Sequence, residues 1–496
     1  MIQKQKVLSI EKMVEIEKSA LADGCNELEF MEFAGVSVAD FVERFLAQKK
    51  GSQRVTLLPG KGNNAGDAYV CGIHLLNRGV FVQALSFYSP NECSPLCLKQ
   101  LNRFLEAGGK ICSRTDVFEG VLIDGLVGTG FKGKAEGVLA EAISWANSTK
   151  LPIIAVDIPS GVCGDTGQVG TVAIFASSTV YLEFPKIGFF LADGWNHTGE
   201  LVEGKFGLPS KYYENIEPVA FLVQKGGMQT ILPISFRTQN KYKVGYLLAI
   251  AGSKAMMGAG ALVSQAALRS GAGIVRWFYP EGCEQSSVLA GLDVIKDSSV
   301  DSLFNEMKRA SALVIGPGMG REDGSFRLIE KVLSACVVPA VIDADALFFL
   351  SERPFFTLPR NALLTPHLGE LQRLLKTDSN EGSFLEQCQN YVQEKKVFML
   401  VKGAPNFLFQ EGELPYILPF GNPGMAKAGT GDVLSGILGG LLAHKLPMLE
   451  VAVLGCFLHG LAGDLVVEDK TVFCLTASDL LLYIPKAFKQ IVDSLE

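Results

Sequence analysis

Apolar positions between residues 9 and 49 recur at helical spacing: Met13, Ile16, Ala20 and Leu21, with Glu17 expected to be exposed, then Phe33, Val36, Val38, Phe41, Val42 and Phe45. They predict two helices broken near Asp23-Gly24. Short apolar runs follow at 54–58, 82–88, 120–123, 152–156 and 179–184, separated by helical or glycine-rich segments. Such alternation predicts a mostly parallel sheet with helices on its faces. The rhythm breaks over 207–243, where Pro209, Pro218, Pro233 and the turn Lys225-Gly226-Gly227 lie in a stretch with no sustained period. A second alternation starts at 246–250 and runs through 274–279, 312–315, 339–342, 362–364 and 397–401, ending in a helical series after Asp432. The pattern predicts two α/β domains in tandem, over 1–212 and 225–496.

Length and composition narrow the function classes. A chain of 496 residues matches two to three domains, and 48% hydrophobic with 20% charged residues is ordinary globular composition. The net charge of −7, without any basic run, argues against a nucleic-acid binder. The 11 cysteines are scattered, and only Cys93 and Cys97 lie close, with no zinc-finger spacing around them. An odd number without a framework points to reduced thiols in a cytoplasmic protein. The stretch from Glu11 to Lys18 is charged where a signal peptide would have an apolar core, and no run of eighteen apolar residues predicts a membrane span. The expected partners are small molecules, with no nucleic acid and no membrane.

In open α/β sheets ligands bind beyond the carboxyl ends of the strands, so those ends carry the candidate chemistry. The first gives Gly60-Lys61-Gly62-Asn63-Asn64-Ala65-Gly66-Asp67. It fits a dinucleotide fingerprint formally, but the next strand lacks the acidic residue that would hold a ribose, which disfavours a nicotinamide dehydrogenase. Asn63-Asn64 suits a hard cation or polar ligand, and an Asn-rich turn explains the same letters. Two further ends, Val121-Leu122-Ile123-Asp124 and Ala155-Val156-Asp157-Ile158-Pro159-Ser160-Gly161, each place a carboxylate at the sheet edge. Helix capping is the competing role for both, and Asp157 is the candidate acid/base.

The region 9–210 resembles the NAD(P)H-hydrate epimerase family in its Gly-x-Gly-Asn-Asn loop, its Asp124 before Gly128-Thr129-Gly130, its Val-Asp-Ile-Pro-Ser-Gly segment and its Met31-Glu32-Phe33-Ala34-Gly35. The resemblance implies a Rossmann-like fold and a potassium ion (K+) held by Asn64, Asp124 and Ser160. It implies a substrate pocket lined by Asn63, Asn64, Ala65, Gly66, Asp67, Gly128, Thr129, Gly130, Phe131, Lys132, Gly133 and Lys134, with Asp157 at the reacting ring. Ala65 and Ala68 stand where the family usually has glycine.

Later strand ends carry Ala251-Gly252-Ser253-Lys254, Gly316-Pro317-Gly318-Met319-Gly320, Asp343-Ala344-Asp345, Thr365-Pro366-His367-Leu368-Gly369-Glu370 and Val401-Lys402-Gly403-Ala404. The most informative motif is Gly429-Thr430-Gly431-Asp432, which opens an apolar helix. Backbone N–H groups at a helix start bind anions, and glycines admit a phosphate closely. An aspartate there would repel phosphate and makes sense as a base beside a transferring phosphoryl group; a capping aspartate is the alternative.

Residues 225–490 look like the ribokinase-like NAD(P)H-hydrate dehydratase family, all six motifs agreeing in order and spacing. The resemblance implies Asp432 as catalytic base and Gly429, Thr430 and Gly431 as anion hole. It implies Lys402, Gly403, Ala404, Pro405 and Asn406 on an adenine nucleotide, ADP or ATP with magnesium (Mg2+), and Ala259, Gly318 and His367 on the hydrated cofactor. His367 has a cap or a packed ring as its other role, and Met256 stands where the family often has tyrosine. Together the halves imply a fused repair enzyme for NAD(P)HX that forms homo-oligomers. The alternatives are a small-molecule kinase of the hydroxymethylpyrimidine or thiazole type, and a first domain that only binds pyridine nucleotides.

Overall fold

The computed structural model describes residues 2–49, 51–376 and 383–493. The chain forms two compact units, Lys6–Ala220 and a second assembled from Met1–Gln5 and Phe221–Glu496. The single junction expected from the broken rhythm is thus two crossings. The proline-interrupted stretch marks one; the other lies in β1 (Lys4–Val7), which joins the edge of the second unit's sheet. A four-residue strand beside a chain end gives no periodicity from which to read this. Lys4 holds that edge by lying 3.7 Å over the Phe221 ring and donating to the Tyr416 hydroxyl at 3.2 Å.

The first unit is built on β2 (Arg54–Pro59), β3 (Phe81–Ala84), β4 (Lys110–Ile111), β5 (Val121–Gly125), β6 (Ile153–Val156), β7 (Ser178–Leu182) and β8 (Glu200–Gly204). They pair in parallel in the order β4-β3-β2-β5-β6-β7-β8. The central strands are buried on both faces, which is why they read as unbroken apolar runs. The order reverses between β2 and β5, where register pairs Leu58 with Asp124 and brings the Asn63 loop beside that carboxylate. The two helices predicted before β2 span Ile10–Ala22 and Glu27–Gln48. The second packs on helix Asn63–Asn77 at Gly35, where an added Cβ would stand 2.4 Å from Val70. Ala65 and Ala68 are fully buried. The Ala68 methyl is accommodated because position 125 is glycine: a Cβ there would fall 2.6 Å from it.

The second unit continues with β9 (Ala220–Val223), β10 (Tyr246–Ile250), β11 (Ile274–Phe278), β12 (Ile295–Asp297), β13 (Ala312–Ile315), β14 (Ala340–Ile342), β15 (Ala362–Leu364), β16 (Phe398–Val401), β17 (Asn406–Phe409) and β18 (Tyr416–Leu418). The order is β1-β9-β18-β17-β16-β15-β14-β13-β10-β11-β12, and β17 runs antiparallel to both its neighbours. Helices Thr430–Ala443 and Met448–Asp469 are apolar almost all round because they are core. The longer one has the length and composition of a membrane span, with 67% of its apolar window buried within the protein.

Helix Thr430–Ala443 lies against helix Met257–Arg269 through glycines: a Cβ on Gly436 would approach the Val263 carbonyl oxygen to 2.3 Å, and one on Gly440 the Ala267 oxygen to 2.7 Å. Backbone cannot yield as a side chain can. Gly436→Ala is therefore expected to lower the stability of the second unit by about 1–3 kcal/mol in urea titration. Gly258→Ala, where an added Cβ meets nothing within 4 Å, should leave the midpoint near wild type.

Candidate functional sites

In the first unit a cavity of about 480 Å3 opens at the carboxyl edge of the sheet, a volume suited to a small organic ligand. Asp157 reaches it from the end of β6 in a left-handed backbone conformation, φ 63°, which aspartate tolerates better than most residues. Its Oδ1 accepts the Leu182 N–H at 2.9 Å and is paired with the Lys186 ammonium. Lys186 is 1% exposed and also donates to the Leu182 carbonyl at 3.2 Å, so a buried cation fixes the carboxylate from the next strand end. Burial pushes the Asp67 carboxyl well up, reinforced by the charges of Asp157, Glu17 and Glu27. Glu17 is pushed up to about 7 by burial and by Asp157.

Beside the cavity Asp124, fully buried, accepts the Ser160 N–H at 2.8 Å, the Ser160 hydroxyl at 2.6 Å and the Leu126 N–H at 3.2 Å. Burial still pushes its carboxyl up to about 6, those bonds pulling the other way. The Ser160 hydroxyl also stands 3.0 Å from the Val127 carbonyl, so one proton serves two oxygen acceptors. Among the described residues the buried Asn64 amide nitrogen has no partner, and Asn64 Oδ1 would lie 3.3 Å from a Cβ on Gly128. A buried, oxygen-rich group with an under-neutralised carboxylate fits a weakly held hard cation.

The predicted lining divides. Asn63, Asn64, Asp67, Gly128, Thr129, Gly130 and Asp157 border the cavity, and Asn63 donates to Glu27 at 2.9 Å. Ala65 and Gly66 sit one helix face away in the core, Gly66 against Met31. Phe131 turns into the apolar cluster around Leu122 and Ile143, while Lys132, Gly133 and Lys134 are exposed and do not border it. Lys186 and Glu27 border the cavity without having been singled out, and Glu17, expected to be exposed, is partly buried at its wall because the helix turns that side to the cavity. Lys186 was within reach of the strand-end rule, since it follows the 179–184 run.

In the second unit Gly429, φ 88°, starts helix Thr430–Ala443 without a side-chain cap, its Thr430 N–H making a long 3.4 Å bond to the Lys427 carbonyl, so the helix start is open to an anion. Thr430 turns its hydroxyl back to the Met425 and Lys427 carbonyls at 2.9 and 2.8 Å, tightening the loop. His459 bonds through Nε2 to the Thr430 carbonyl at 3.0 Å; burial pushes its pKa down to about 4, so the neutral ring donates. The Lys402 ammonium would be 3.6 Å from a Cβ on Gly431 and lies 2.7 Å from Asp343. Asp343 also accepts the Ser435 hydroxyl at 2.6 Å. Asp432, on the first turn, is pushed up to about 7 by burial and then by Asp343, with Lys402 opposing and Asp345 adding.

Ala259 and Gly318 adjoin: a Cβ on Gly318 would be 2.8 Å from that of Ala259 and 3.0 Å from that of Met256. His367 caps helix Leu368–Leu375, its Nδ1 accepting the Gly369 N–H at 3.0 Å while Glu370 accepts the His367 N–H at 2.9 Å. The Lys402 N–H donates to Pro366 at 2.7 Å and ties this turn to the anion loop's lysine. Gly403 donates to Asn406 Oδ1 at 3.1 Å; Gly403 and Ala404 are exposed, Pro405 buried.

Each site falls in a segment matched by its own family model: YjeF-related protein N-terminus over residues 27–188 and NAD(P)H-hydrate dehydratase over 247–486. The bifunctional NAD(P)H-hydrate repair enzyme of Moorella thermoacetica is 33% identical over 493 residues, spanning 94% of this chain and 93% of its own. The chain belongs to the bifunctional NAD(P)H-hydrate repair enzyme family. The family member from Escherichia coli is 31% identical over 430 residues, with 86% of this chain and 83% of its own covered. A ribokinase-like superfamily protein from Enterococcus faecalis matches 54% of this chain and 95% of its own at 24% identity and TM-score 0.51. It shares the fold of the second unit.

In this family member Asp343 is 1% exposed and depends on Lys402 for its countercharge. Lys402→Met is expected to cost the second unit about 3–5 kcal/mol in urea titration, because it strands a buried carboxylate. Adding Asp343→Asn should recover most of that loss.

Proposed function

We propose that the chain interconverts the R and S epimers of hydrated NADH and NADPH in the first unit, and dehydrates the S epimer in the second at the expense of ADP or ATP. The observation that carries the reading is the pair of separate aspartate sites, Asp157 in an enclosed cavity and Asp432 on an uncapped helix start beside Lys402. Hydrated nicotinamide carries a hydroxyl on C6. Hydroxide is a poor leaving group and phosphate a good one, which gives a dehydration its need for a nucleotide. Asp432 takes the proton of that hydroxyl as it attacks the terminal phosphoryl group. The N–H groups of Gly429, Thr430 and Gly431, with Lys402, hold the charge that develops on the phosphoryl oxygens. Loss of phosphate from C6 and a proton from C5 then restores the reduced ring. Asp343, Asp345 and Asp432 give this site more negative than positive charge, which suits it to magnesium carried by the nucleotide phosphates, where the ion screens their charge.

In the first unit Asp157 handles a proton as the C6–O bond breaks and reforms, with Lys186 fixing its orientation. Asn64, Asp124 and Ser160 would hold potassium, whose charge organises the buried oxygens next to the substrate loop.

Incubating both NADHX epimers with magnesium, potassium and ADP or ATP, and following NADH absorbance, tests the reading. Complete recovery is expected, whereas accumulation of a phosphorylated product would indicate a small-molecule kinase. Asp157→Asn should slow epimerisation by about 100-fold or more and stop recovery at the S-epimer fraction. Asp432 works deprotonated, so dehydration is expected to fall as pH drops through about 7, with Asp432→Asn inactive. Replacing potassium by tetramethylammonium at equal ionic strength should reduce epimerisation and leave Asp124→Asn indifferent to the exchange.

A further inference from the structure

Helix Ile10–Ala22 lies outside the matched segment 27–188, yet it forms one wall of the first cavity. Met13, Glu17 and Leu21, one helical turn apart, border that cavity. The rest of the helix buries Ile10, Met13, Ile16 and Ala20, so Glu17 stands as an acid on an otherwise apolar inward face. The charges that act on it are those of Asp157, Lys186 and Glu27, and it acts in turn on Asp67. Lys186 contacts Asp157 and not Glu17. The two carboxyl groups therefore differ in kind: Asp157 is held in a buried ion pair with Lys186, and Glu17 forms no ion pair among the described residues. Carboxyls held this differently in one cavity can divide the acid and base roles of one reaction.

We propose that Glu17 is the second catalytic residue of the epimerase cavity, protonating the departing C6 hydroxyl while Asp157 accepts the proton of the water that returns. The proposal rests on the epimerase reading of this cavity. In the R-to-S direction the Glu17 proton passes to the C6 oxygen. The C6–O electron pair leaves with it as water, and the N1 lone pair closes an N1–C6 iminium. Water then adds to the opposite ring face and its proton goes to Asp157. The return direction reverses the two roles, and nothing is oxidised or reduced. Burial and the neighbouring Asp157 keep Glu17 protonated up to about pH 7, so the forward rate should fall above that pH.

Separated epimers, without nucleotide so that the second site is idle, give the test by chromatography across pH 5.5–9. Glu17→Gln in the full chain is expected to lower kcat for R-to-S conversion by at least about tenfold and to abolish the alkaline fall. Glu17→Asp should restore part of the rate together with a titrating limb. Wild-type kcat and an unchanged alkaline limb in Glu17→Gln would overturn the assignment. So would equal losses in Gln and Asp variants with the wild-type pH profile, the mark of a merely structural side chain. A wild-type protein that does not interconvert the epimers at all would instead defeat the epimerase reading.

Discussion

Each site is organised by a buried ion pair between an aspartate and a lysine delivered from different strand ends. In the first unit Asp157 follows β6 and Lys186 follows its neighbour β7; in the second Asp343 follows β14 and Lys402 follows β16. A lone charge in such a place would be costly to keep out of water, so neither partner holds its position without the other. The pairs also set the electrostatics around them. Asp432 is raised by Asp343 and lowered by Lys402, and Glu17 stands in the same relation to Asp157 and Lys186. Burial raises Asp432 and Glu17 most, and these pairs adjust them, from adjacent strand ends in the first unit and across β15 in the second.

Backbone shape supplies what the charges do not. The helices that open the two sites, Asn63–Asn77 and Thr430–Ala443, begin at Gly62 and Gly429 without a side-chain cap. Helix Glu27–Gln48, by contrast, is capped by Asn26, and helix Pro95–Glu106 by Ser94. An uncapped start leaves its N–H dipoles for a ligand and forgoes part of the helix's own stability. The second unit compensates through depth: the same helix is buried along most of its length, and its glycines let neighbouring backbone come close.

Much of this was legible because buried parallel strands leave a simple trace. The runs at 54–58, 120–123, 152–156, 246–250 and 312–315 coincide with central strands, and the residues after them reach the sheet edge. Short or edge strands such as β4, β8, β9, β12, β17 and β18 have two to five residues each, and several carry exposed or polar positions that break an apolar run. Residues 131–134 read as pocket lining because they adjoin Gly128–Gly130 in sequence. Phe131, though, is buried in the apolar cluster around Leu122, and the chain leaves with it. His367 is a helix cap, one of the roles that sequence left open, and the turn it caps is bonded to Lys402. Glu17 was hidden for a different reason, since one acid among apolar helical positions looks like the solvent side of an amphipathic helix until its neighbours are known.

The strand β1 gives the molecule an unusual order of assembly. It pairs in the second unit's sheet, yet it is synthesised before nearly all of the first unit, and its partner β9 is made only as that unit ends. The first unit is therefore spliced into the second as a guest in a host's loop. A gene cut once near the proline-rich junction would yield a second half lacking its outermost strand, with the exposed edge of β9 free to pair with another chain. Circular relocation of residues 2–7 to the front of β9 would remove that dependence while keeping every strand.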